Sequence, residues 1–198
     1  MAFDNNKVES TPTISAASII VPHKLDPAPP ILTTLDSDRP DKGGEGGVPH
    51  VTNAEFLAVL FGKLNDGGRI AVCGKAGDPQ QGGWHPGSIS ELAARCQSDR
   101  NNYFNCSTFN PTENGALSAK AANFCRYHVL VLDDVGTKVP LEKVTRIEPT
   151  YAIETSLGNF QYGYVLATPI ADMGEMTLLQ NACADAGLTD NGVRRQII

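Results

Sequence analysis

The sequence predicts an α+β domain, mixed α/β in its run of elements, with a central and mostly antiparallel sheet flanked by helices. Three observations carry that prediction. "HVLVLDD" is an unbroken apolar run that ends on acids, the pattern of a central strand with both faces covered. "PTYAIETS" and "FQYGYVLAT" are strand-like and are joined by "LGN", a connection with hairpin chemistry. Helical patterns stand at both ends of the ordered region, and no internal repeat is visible.

The elements follow in order. In "VTNAEFLAVLFGKLNDGGRIAVCGK", Thr52 or Asn53 can cap a helix, and Leu57, Leu60, Phe61 and Leu64 fall on one face. "NDGG" stops it, and "RIAVC" reads as a buried strand. After the loop "GKAGDPQQGGWHPG", Ser88 and Glu91 have capping-box spacing and predict a short helix. "NNYFNCSTF" is a second strand. "NPTENGAL" is a loop, and "SAKAANFC" is a short helix or an irregular approach to the central strand. "ADMGEMTLLQNACADAGL" closes the domain as a helix. Asp172 and Glu175 suit its first turn, Met176, Leu179, Cys183 and Ala186 make its inner stripe, and Gly187 stops it.

Composition bounds the rest. With 198 residues, the chain suits one domain plus tails. Hydrophobic residues, at 41%, are enough for a core. Residues 1–49 are rich in Pro, Gly and Asp and read as a flexible arm, leaving 50–198 as the domain. The net charge of −6 argues against a basic coat for non-specific nucleic-acid binding, but not against local grip through metal ions and a few cations. No apolar run reaches transmembrane length, so no membrane partner is expected, and the N-terminus lacks the regions of a signal peptide. The five cysteines are widely spaced and read as reduced core thiols in a cytoplasmic protein.

Asp133 and Asp134 leave three readings open: a magnesium site, an ATPase acid pair, or a strand surfacing at a polar turn. The ATPase reading needs a phosphate loop. Gly62-Lys63 and Gly74-Lys75 lack both the upstream glycine and the following hydroxyl, so that reading falls. Mg²⁺ favours carboxylate oxygen, and a rigid strand end suits it. On a regular strand adjacent side chains point to opposite faces, so both acids reach one metal only where the strand twists or ends. Gly136 permits that, and on these grounds Asp133 is the firmer ligand. Glu154 and Ser156 share a strand face, and Gly158, Asn159 and Gln161 follow at the hairpin.

Taken together, "VLVLDDVGTKVP", "PTYAIETSLGNFQYGYVLATPI", "AGLTDNGVR" and "NNYFNCSTF" resemble the primase–polymerase domain of phage and plasmid replication proteins. These are RepB-type members of the archaeo-eukaryotic primase superfamily, and the likeness spans about residues 53–195. The resemblance implies a primase–polymerase-like sheet and nucleotidyl transfer from (d)NTPs on a single-stranded DNA template, with Mg²⁺ or Mn²⁺. It also implies the cytoplasm of a bacterial host and, with no helicase motif here, unwinding by a separate helicase. Asp133 and Asp134 match the first acidic motif, which in the family keeps one residue between its acids. Glu154, on what is expected to be the neighbouring strand, is a substitute second ligand, and Asp190 matches a further acid. Gln161 stands near the place of a triphosphate-contacting histidine. Ser156, Asn159 and Lys138 would line the triphosphate site, with Lys138 or Arg146 supplying positive charge. The alternative is a catalytically degraded module that binds nucleic acid or a replication partner. Family members continue beyond "GVRRQII", so the domain is expected to be incomplete at its C-terminus.

Overall fold

The computed structural model describes residues 52–62, 64, 67–75, 87, 88 and 101–192. The expected arm, the helix after Ser88, Cys96 and the final "VRRQII" lie outside the described residues.

Helix α1 (Asn53–Phe61) starts where its chemistry requires. The Thr52 hydroxyl accepts from the Glu55 N–H at 3.2 Å, and the Glu55 carboxylate takes the Thr52 N–H at 2.9 Å. This reciprocal box satisfies amides that have no partner within the helix. Leu57, Leu60 and Phe61 are buried, the face expected from their spacing.

Six antiparallel strands form one sheet in the order β2-β1-β3-β4-β6-β5. They are β1 (Arg69–Lys75), β2 (Gly87–Ser88), β3 (Asn101–Phe109), β4 (Phe124–Val135), β5 (Tyr151–Ser156) and β6 (Asn159–Ile170). The sheet and its flanking helices make an α+β fold. β4 lies inside the sheet, and both its faces are covered. Leu130 and Leu132 join the core beneath helix α3 (Met173–Asp185), while Val129 and Val131 pack with α1, Phe104 and Tyr151 on the other side. The one-turn helix α2 (Leu141–Val144) adds Val144 to the α3 side. "SAKAANFC" proves irregular: a single 3₁₀ turn, Ala121–Asn123, leads directly into β4.

Two placements differ from expectation. β5 is not the neighbour of β4, because β6 lies between them. On α3, Gln180 is buried with Met176 and Cys183, whereas Ala186 is exposed at the helix end. The chain turns off there through Gly187, at φ 66°, with the Leu188 N–H returning to the Cys183 carbonyl at 2.9 Å.

β3 pairs with β4 through Ser107 opposite Tyr127, Thr108 opposite Arg126 and Phe109 opposite Phe124. The Asp133 N–H donates to Thr189 Oγ1 at 2.9 Å. A part-buried amide needs an acceptor, and the Thr189 hydroxyl provides it for Asp133. The segment after α3 is thereby tied to the acidic end of β4.

Candidate functional site

Three pieces of chain meet at this end of the sheet: the end of β4 with its turn, the β5–β6 turn, and the segment after α3. The pairing of β4 with β6 slips between Leu132 and Val135, a β-bulge. Within it Asp134 takes φ 58°, the left-handed region that short polar side chains tolerate best after glycine. Gly136 follows at φ 91°, and a Cβ there would come within 2.5 Å of the Gly158 carbonyl oxygen. The two turns thus press together at a contact only glycine allows.

That contact brings Asn159 to Asp134. Asn159 Nδ2 donates to Asp134 Oδ1 at 3.1 Å and to Thr155 Oγ1 at 3.1 Å, while its Oδ1 accepts from Thr137 at 2.6 Å. The other Asp134 oxygen, Oδ2, receives Lys138 Nζ at 2.8 Å. The same ammonium also binds Asp190 Oδ2. Asp190 is steadied through its second oxygen by the Gly192 N–H at 3.0 Å. The hydrogen bond from Lys138, then that from Gly192, draws its carboxyl down to about 2. The two acids in turn hold Lys138 well above its ordinary value. Two carboxylates from distant parts of the chain therefore converge on one cationic point.

Asp133 sits beside this cluster. Its Oδ1 accepts the Asp134 N–H at 3.0 Å. Burial raises its pKa above the usual aspartate range, and the charges of Asp134 and Asp190 add to that, while the Asp134 N–H and Lys138 oppose it. The sequence placed most weight on Asp133, yet it is Asp134 that meets Asp190. The bulge is the reason, since it breaks the alternation of faces between the two acids.

The remaining expected residues are placed as follows. Glu154 lies on the outer strand β5, two strand spacings or about 10 Å from β4. Its carboxylate closes the hairpin by accepting the Gly158 N–H at 2.8 Å. Ser156 is exposed at the same hairpin. Gln161, on β6, accepts the Tyr151 hydroxyl at 3.3 Å. The Tyr151 ring lies against Gly163, where a Cβ would fall 1.8 Å from a ring carbon. Thr137 and Thr189 were not singled out in the sequence, although each adjoins a residue that was, Thr137 beside Lys138 and Thr189 beside Asp190.

Among the described residues, no three His, Cys, Asp or Glu side chains form a group that could hold a metal ion. Mg²⁺ does not require three, since it is commonly held by one or two carboxylates together with waters and substrate phosphates. Asp134 and Asp190 fit that donor set, being hard oxygens already aimed at one positive charge. Also among the described residues, no helix is long and apolar enough to cross a membrane.

The fold and site define an α+β protein with an acid–ammonium cluster where its central strand ends. Compared with family models, curated proteins and solved structures, the chain matches none.

Proposed function

We propose that the chain is a primase–polymerase-like domain that carries out cation-dependent nucleotidyl transfer from (d)NTPs on a single-stranded DNA template. The observation that supports it best is the convergence of Asp134 and Asp190 on Lys138 Nζ, next to Asp133. Bound Mg²⁺ or Mn²⁺ would supply Lewis acidity to the attacking 3′-hydroxyl and the pyrophosphate leaving group. Asp134 and Asp190 would hold the ion, with Asp133 as the third carboxylate within electrostatic reach. Asn159 and Thr137 orient Asp134 and so act as positioning residues. Gln161 has its Oε1 engaged by Tyr151 and would offer its amide hydrogens to a phosphate oxygen. Ser156 would add a hydroxyl from the hairpin. No covalent intermediate is needed, because catalysis is by positioning and charge neutralisation.

The test is template-dependent dNTP incorporation with Mn²⁺. The wild type is expected to extend a strand, and Asp133→Ala Asp134→Ala to fall by at least about 100-fold. Equal product from both proteins, or none from either, overturns the reading.

One observation favours a second reading, a module that binds a strand or a replication partner without catalysis. Lys138 already neutralises Asp134 and Asp190. In that case strand binding persists while neither Mn²⁺ nor dNTP binds.

A further inference from the structure

Lys138 Nζ is paired with both Asp134 and Asp190. We propose that Lys138 is a resident counter-ion which a divalent cation must displace, and that its freed ammonium then binds the phosphates of the incoming nucleotide. This rests on the nucleotidyl-transfer reading and adds to it an internal competitor and an order of binding.

The three side chains differ in how firmly they are held. Asp134 is fixed by its bulged backbone, by Asn159 and by the Asp134 N–H bond to Asp133. Asp190 is held by Gly192. Their side chains are 20% and 27% exposed, whereas that of Lys138 is 66% exposed. The Lys138 backbone is pinned in its turn, with the Gly136 N–H on the Val139 carbonyl at 2.7 Å and the Val139 N–H on the Asp134 carbonyl at 3.0 Å. Only its four-carbon stem is left to move, and its head can return to water at little cost.

Competition follows from the oxygens involved. Lys138 takes Oδ2 of both acids, the atoms that a cation bridging the pair would need. The ammonium and a divalent ion would also repel one another at that range. A bare cation must therefore outcompete the ammonium, whereas a cation carrying a triphosphate brings Lys138 a new anionic partner. Cation and nucleotide should consequently bind cooperatively, each tightening the other by the same factor.

The experiment is Mn²⁺ binding, read by electron paramagnetic resonance and calorimetry, with and without a non-hydrolysable dNTP analogue. The proteins are the wild type, Lys138→Met, Lys138→Gln and Lys120→Met. Lys120 is an exposed lysine on the β3–β4 connection, and its loss removes the same charge away from the acids. Circular dichroism confirms that each variant is folded, and either Lys138 variant suffices. The expected result is that Lys138 variants bind Mn²⁺ about three- to tenfold more tightly in the absence of nucleotide and lose the coupling to the analogue, while Lys120→Met does neither. Wild type and Lys138 variants binding Mn²⁺ equally would overturn the displacement and leave the nucleotidyl-transfer reading standing. Absence of Mn²⁺ binding in every protein, analogue present, would overturn both.

Discussion

Asp134 is the one non-glycine residue with positive φ among the described residues, and it is the residue on which the site turns. Holding a left-handed aspartate costs on the order of 1 kcal/mol, and here the geometry aims its carboxylate at Lys138 and Asp190. Asp133 bears a different cost, being half-buried among like charges with its pKa raised. The sign follows from linkage. An acid with a raised folded pKa stabilises the fold below its unfolded value of about 3.9 and loses that contribution as pH rises through the folded value. Asp133→Asn, which cannot ionise, is therefore expected to be more stable than the wild type at neutral pH. Urea unfolding should show this advantage shrinking as pH falls through the Asp133 titration, whereas a variant less stable at pH 7 would contradict it. The acids and their glycine were legible in the sequence. The bulge was not, since an Asp-Asp pair before a glycine suits a regular strand end equally well. The bulge accompanies an Asp134 that meets Lys138, and through it Asp190.

At the scale of elements, the helices and the hairpin follow from local chemistry. Thr52 and Glu55 box α1, Asp172 caps α3 by accepting the Glu175 N–H at 2.7 Å, and Leu157-Gly158 turns β5 into β6. What the sequence did not reveal is long-range. The hydrogen bond from the Asp133 N–H to Thr189 joins residues far apart in the chain. Gln180 is similar. Its place on the inner face of α3 is visible from spacing, but an amide there contradicts the apolar pattern. Its Nε2 reaches the Tyr127 phenol only at 3.5 Å, and its Oε1 has no partner among the described residues although the residue is 3% exposed. An unsatisfied buried carbonyl costs about 1–3 kcal/mol. Gln180→Met keeps the length of the side chain, suits the neighbouring Met176 and Cys183, and should stabilise the protein by about 1 kcal/mol. Thermal unfolding would show this as a rise of about 2–4 °C in Tm. A fall in Tm would mean that Gln180 Oε1 binds a buried water worth more than the packing gained.

At the scale of the whole molecule, strand order decides which expected residues can work together. Sequence neighbours β5 and β6 pair as a hairpin, as their turn foretold, but it is β6 that lies against β4. Glu154 is thereby separated from Asp133 by a strand, and Asn159, at the start of β6, reaches Asp134 instead. Nothing in the spacing of "AIETSLGN" distinguishes those outcomes, because the choice is made by which hairpin strand buries more apolar surface against the central strand. Tyr164 and Leu166 of β6 are both core residues, while Glu154, Thr155 and Ser156 of β5 are polar. The same packing brings the segment after α3 to the end of β4, so that Asp190 joins a site built by residues far earlier in the chain. The proposed function requires this end of the sheet to hold a divalent cation between Asp134 and Asp190. The most direct measurement is anomalous scattering from a crystal soaked in Mn²⁺ with a non-hydrolysable dNTP analogue. A peak within about 2.0–2.3 Å of an oxygen of each acid, with Lys138 swung onto phosphate, is the predicted result. Lys138 still seated between the two acids, with no peak there, would contradict it.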